Sequence, residues 1–191
     1  MPFYLITIMR YSPSMAGTIL LFMPLMMTVS SPLSGWACDK VGSRSIATVG
    51  IGVMCTGLYF LSTLGLDSTI FEIALILVLI GLGMGLFSAP NTRDVMASAP
   101  RPRLGVASAF LALMRTLGMS LGVALAVSIA TLLMPSGLRT ALVAGELLYS
   151  PSLPVVEFLN GIRLAFSAAA LTALLATITS WLRGSVREAN L

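Results

Sequence analysis

The chain has 191 residues, 57% of them hydrophobic and only 9% charged, with a net charge of +4 and a mean hydropathy of +0.98. A water-soluble domain carries about 25% charged residues, so this composition excludes one and indicates an all-α integral membrane protein. Histidine is absent, which removes imidazole metal ligation and His-based acid–base chemistry, and the basic residues flank apolar spans rather than forming a nucleic-acid surface.

In chain order, residues 1–9 lack the basic start and small-residue cleavage site of a signal peptide. At about 1.5 Å per residue they are too short to cross a bilayer, and they read as a stub, the tail of a helix whose beginning is missing. Arg10 follows. Tyr11 to Cys38 then carries no charge, and neither does Ser45 to Leu66. Roughly 20 helical residues cover a hydrocarbon core of about 30 Å, which predicts spans at about 14–36 and 45–65. Between them lies a charged island, Cys38-Asp-Lys-Val-Gly-Ser-Arg-Ser45, expected to be a tight turn at the membrane surface. A third span is predicted over 70–92, bounded by Glu72 and Arg93, a fourth over 104–134 with Arg115 inside it, and a fifth over 162–182 between Arg163 and Arg183. Unpaired backbone groups are not tolerated in lipid, so uninterrupted runs of this length are helices. The alternating segments of a barrel are not seen. Residues 1–191 thus read as a single helical bundle.

The connections set orientation. Lys40, Arg44, Arg93, Arg101, Arg103, Arg183 and Arg187 fall on one side, whereas Arg10, Arg139 and Arg163 fall on the other. The excess of Lys and Arg marks the cytoplasmic face, so the N-terminus is expected outside and the C-terminus in the cytoplasm. The loop from Pro135 to Asn160 contains Pro135, Pro151 and Pro154 and is expected to be irregular and external.

Pro24, Pro32 and Pro90 lie inside spans, where each removes a backbone donor. Gly81 and Gly85, and likewise Gly118 and Gly122, are four apart and permit close helix approach. Cys38 and Cys55 read as small apolar residues, not as a disulfide or metal pair. Two readings stay open for Arg115. It faces protein or water in a substrate path, or the fourth helix is overlong and Arg115 snorkels to the surface. Arg93 and Asp94 are expected to cluster with Asp39 and Arg44, and Glu72 to be a helix-start carboxylate.

The stretch Gly35-Trp-Ala-Cys-Asp39-Lys40-Val-Gly42-Ser-Arg44 resembles the signature turn of the major facilitator superfamily, departing from it at Ser43. Gly35 allows close helix crossing, Gly42 a turn with positive φ, and Asp39 a pairing with Arg or a helix N-terminus. Gly81-Leu-Gly-Met-Gly-Leu-Phe-Ser-Ala-Pro-Asn91, Gly105-Val-Ala-Ser-Ala, and Met114-Arg-Thr-Leu-Gly118-Met-Ser-Leu-Gly122 are similar to the multidrug-efflux branch with fourteen helices (EmrB/QacA type). Tyr11-Ser-Pro-Ser-Met-Ala-Gly17 and Pro32-Leu-Ser-Gly35 fit the same branch. The resemblance covers about residues 3–183 and maps onto the C-terminal half. It implies proton-driven export of amphipathic small molecules by alternating access in an inner membrane. The implied partners are the bilayer and the missing N-terminal transporter helices, with no cofactor or metal. The rival reading is a non-transporting truncated fragment acting as a structural partner. An intramembrane enzyme is disfavoured, because no paired midplane carboxylates and no nucleophile–base set are found.

Overall fold

A computed structural model describes residues 1–2, 4–132 and 155–182. The described residues are helical almost throughout, with no strand among them. The elements are α1 (Pro13–Leu20), α2 (Phe22–Val41), α3 (Ser43–Thr63), α4 (Ile70–Ala97), α5 (Leu104–Leu132) and α6 (Val155–Leu182). Five stretches are long and apolar enough to cross a membrane, with α1 and α2 together forming the first.

The expected stub is a short π-helical turn, Tyr4–Ile8, whose Tyr4 and Leu5 are buried. The Tyr4 hydroxyl donates to the Gly65 carbonyl at 2.5 Å, which pins the turn to the α3–α4 connection. Arg10 adopts φ 59° and separates the turn from α1. There Ser12 accepts from the Met15 N–H, and Pro13 opens the helix where its missing donor costs nothing.

Proline placement explains the break in the first span. Pro24 has no N–H to give the Leu20 carbonyl, so α1 ends at Leu20; the Leu25 N–H to Leu21 carbonyl bond restarts the ladder. The span then continues to Val41, beyond the predicted end at 36. The third span likewise runs past Pro90 to Ala97. Glu72 is more than a helix-start carboxylate. Its Oε2 accepts from the Thr69 N–H while the Thr69 hydroxyl accepts from the Glu72 N–H, a capping box that starts α4.

The last span corrects an expectation. α6 begins at Val155, so residues 155–160 are helix rather than irregular loop. Glu157 suits the positive end of the helix dipole, and Phe158 and Leu159 are buried. Residues 133–154 lie outside the described residues, and with them Pro135, Arg139, Glu146, Pro151 and Pro154; Arg183, Arg187 and Glu188 also lie outside.

α4 is the centre of the bundle. It packs against α2 on one side and α3 on the other, and α6 packs on α3. α4 supplies the buried Ile73, Ile76, Leu77 and Ile80, joined by Leu61 from α3, Leu64 just beyond its end and Ile19 from α1. α5 is different. It touches chiefly α6 and, more weakly, α4, and Thr131 is its one buried residue.

Candidate functional site

The charged island forms a one-residue turn. α2 ends at Val41 and α3 starts at Ser43, with Gly42 at φ 90° and ψ 149°. That conformation is essentially restricted to glycine. The Gly42 N–H returns to the Cys38 carbonyl at 2.9 Å, closing the end of α2. The turn holds Asp39 against α4, where Arg93 Nη1 donates to Asp39 Oδ1 at 2.5 Å. Both side chains are more than half exposed, so the pair contributes little to stability. Lys40 lies one turn beyond Trp36 with its Nζ 3.9 Å from the ring centroid, a cation–π contact at the same end.

The expected four-residue cluster does not form. Arg44 starts α3 on the side that faces α6, and its guanidinium donates to the Trp181 carbonyl, one of the acceptors a helix leaves unpaired at its C-terminus. One turn further along α3, the Thr48 and Ser180 hydroxyls meet at 2.8 Å. Asp94 makes no ion pair among the described residues. It follows Arg93 by about 100° around the helix.

Below the turn, glycines bring α4 into backbone contact with both neighbours. Residues four apart share a helix face and residues two apart lie on opposite faces. Accordingly, Gly81 and Gly85 face α2 while Gly83 faces α3. A Cβ added at Gly81 would sit 2.3 Å from the Met23 carbonyl oxygen. One at Gly85 would sit 2.8 Å from that of Met27, and one at Gly83 would sit 2.5 Å from the Met54 nitrogen. Gly50 on α3 completes the second contact, its added Cβ falling 2.7 Å from the Phe87 nitrogen.

A polar contact crosses the same layer. Pro90 denies the Leu86 carbonyl its helical donor. The buried Ser34 hydroxyl supplies one instead, at 3.0 Å. A serine on a neighbouring helix is one of the ways a proline is accommodated in lipid.

The remaining predicted residues sit elsewhere. Gly35 has nothing within 4 Å of an added Cβ, so no close crossing occurs at that position among the described residues. Gly118 and Gly122 are equally open, because among the described residues no helix lies against that face of α5. Arg115 is exposed on α5. The contacts of Ser34, Gly50 and Gly83 were missed from sequence. Ser30 and Ser34 are themselves spaced four apart, as interface residues are in membrane helices, and that signal was available. No group of three or more potential metal ligands occurs among the described residues.

The chain matches the Major Facilitator Superfamily over residues 1–123. It is similar to the riboflavin transporter RibZ of Clostridioides difficile, with 36% identity over 65% of this chain and 27% of that protein. It is also similar to the uncharacterized transporter YebQ of Escherichia coli, with 34% identity over 78% of this chain and 32% of that protein. A third relative is the multidrug transporter protein MdtP of Bacillus subtilis, 31% identical over 64% of this chain and 23% of that protein. The matched region thus spans about a quarter to a third of the length of these curated relatives. The signature turn, the helical bundle and the match over most of the described spans carry one conclusion: this chain is an integral membrane protein of the Major Facilitator Superfamily.

Proposed function

We propose that the chain is the C-terminal half of an exporter that moves amphipathic small molecules across an inner membrane by alternating access, driven by protons. The observation that carries this reading is the state of α5. It is a 29-residue apolar helix with Arg115, Gly118 and Gly122 on its surface and, Thr131 apart, no buried residue. An apolar span bare on most sides within its own bundle is suited to lie against a second one, and substrate sites in these transporters lie between two repeats. The family of the chain and the multidrug transporter among its relatives support export. In this reading the charged turn and the C-terminus are cytoplasmic and the N-terminus external, following the Lys and Arg asymmetry. The Asp39–Arg93 pair is then a cytoplasmic latch between α2 and α4.

Proton coupling needs an ionisable group near the membrane midplane. Asp39, Asp67, Glu72, Asp94 and Glu157 all fall at helix ends or in connections. The coupling group is therefore assigned to the other half. The test is reconstitution in liposomes with an imposed pH gradient and a cationic dye. Residues 1–191 alone should show no gradient-driven efflux, and co-expressed N-terminal helices should restore it. Robust proton-driven transport by residues 1–191 alone would overturn this reading.

A further inference from the structure

Near the α3–α4 connection, α3 and α6 part to leave a groove of about 490 Å³, within the size range of ligand pockets. Its lining includes Cys55, Tyr59, Ala170, Leu171 and Leu174. Three lining hydroxyls spend their protons inside their own helices. Thr56 donates to Gly52 at 3.0 Å, Ser62 to Tyr59 at 2.6 Å, and Ser167 to Leu164 at 2.8 Å. The Cys55 thiol is directed to the Ala170 carbonyl at 3.4 Å. Apart from the Tyr59 phenol, the walls offer a polar ligand little to bond. Tyr59 and Leu171 are 60% and 63% exposed, so the groove opens outward and is continuous with the surface these spans give to hydrocarbon.

A cation marks one end. Arg163 precedes Ser167 by four residues and so shares its face of α6. Its Nε donates to the Leu64 carbonyl at 2.7 Å, at the end of α3. Guanidinium has further donors in its fork, and no carboxylate pairs with Arg163 among the described residues. The eleven residues from Arg163 to Leu174 (174 − 163) rise about 16 Å, close to half of a hydrocarbon core of about 30 Å. The feature is therefore about one leaflet deep, with a cation at the end nearer the α3–α4 connection and apolar walls beyond it.

We propose that this groove is a phospholipid site. One acyl chain lies between α3 and α6, and the lipid phosphate sits on Arg163 in the leaflet nearer the α3–α4 connection. Phosphate on guanidinium is a strong charge-assisted contact, and an acyl chain is the occupant that walls with spent donors accept. The proposal concerns the protein–lipid boundary and stands apart from what the chain transports.

The test uses the intact chain in phosphatidylethanolamine–phosphatidylglycerol vesicles doped with a phospholipid bearing a photoreactive acyl chain. After irradiation, adducts are mapped by mass spectrometry. Adducts should concentrate on residues 55–62 and 167–174 and exceed those on the equally exposed α5. Arg163→Gln should lower the groove adducts about tenfold, on the scale of a lost charge-assisted contact, while α5 adducts stay unchanged. A photoreactive diacylglycerol, which lacks the phosphate, should not respond to Arg163→Gln. Uniform labelling of all lipid-facing helices in the unaltered chain would overturn the site. Groove labelling by the phospholipid that persists in Arg163→Gln would overturn the phosphate seat and the proposal with it.

Discussion

The bond from the Ser34 hydroxyl to the Leu86 carbonyl has a testable cause: Pro90 removes the backbone donor that carbonyl would otherwise have. Ser34→Ala therefore deletes one hydroxyl and leaves a carbonyl unpaired between two packed helices. A buried unsatisfied group costs about 1–3 kcal/mol, and interhelical hydrogen bonds in membranes average about 0.6 and reach about 1.7 kcal/mol. Ser34 is fully buried against α4, which places the expected loss in the upper part of the membrane range, about 1–2 kcal/mol. Pro90→Ala changes that cost. Alanine at 90 restores an N–H four residues beyond Leu86, so the carbonyl regains its helical partner and no longer needs Ser34.

The double-mutant cycle then has a defined sign. Ser34→Ala in the Pro90→Ala background should cost less than about 0.5 kcal/mol, giving a coupling near 1 kcal/mol. The cavity left by trimming the buried proline enters both Pro90 variants and cancels. Reversible unfolding in bicelles, followed by steric trapping or SDS titration, measures all four corners. An equal cost of Ser34→Ala with proline or alanine at 90 would refute the argument that the serine answers the proline.

Three further outcomes follow from the same geometry. Gly83→Ala should destabilise by about 2–3 kcal/mol in the same assay, because its Cβ meets backbone 2.5 Å away that cannot yield easily; Gly118→Ala, with open space around it, should be neutral or stabilising by up to about 1 kcal/mol. Gly42→Ala should cost about 1–3 kcal/mol, because an L side chain is strained at φ 90° and ψ 149°. In a complete reconstituted transporter, Asp39→Asn and Arg93→Gln should each slow transport while barely moving the unfolding midpoint, and together they should do less harm than the sum; fully additive losses would show that the 2.5 Å contact has no part in the cycle.

The number of spans was legible because a charge-free run of that length has few alternatives in a membrane, and their starts were within a few residues wherever a cap or charge marked them. The Thr69–Glu72 box did this for α4. Arg163 reads as a boundary in the sequence and sets the start of α6 seven residues late, whereas its Nε donates to the Leu64 carbonyl at the end of α3 and the helix extends on both sides of it. A long side chain near a helix end can report a tertiary contact as readily as an interface. Glycine spacing was a partial guide for the same kind of reason. Four-residue spacing puts two glycines on one face but does not say whether a helix faces them. Gly81 and Gly85 meet α2, while Gly118 and Gly122 meet nothing among the described residues. The turn was legible at Gly42 and Asp39, yet the destination of Arg44 was not, because a backbone carbonyl as acceptor leaves no trace in the sequence.

The two readings of Arg115 can be weighed by depth. The described part of α5 runs 29 residues from Leu104, the middle of that part is Gly118, and Arg115 precedes it by three residues, about 4–5 Å. Arg103, at the start of the helix and beside Arg101, is twelve residues away (115 − 103), about 18 Å along the axis. With α5 centred in a core of about 30 Å, Arg115 lies about 10 Å inside the nearer boundary. In that placement Arg115 is deeper than the residues near helix ends that snorkel. A charge near the centre costs roughly 2.5–3.5 kcal/mol on insertion scales unless water or protein surrounds it. The residues three and seven positions along the same face are Gly118 and Gly122, with no side chain to shield the guanidinium from lipid. The face that is costliest to expose to hydrocarbon is thus also the one most open to close approach. In the proposed exporter, that is where the second bundle or the water-filled path between the halves would lie.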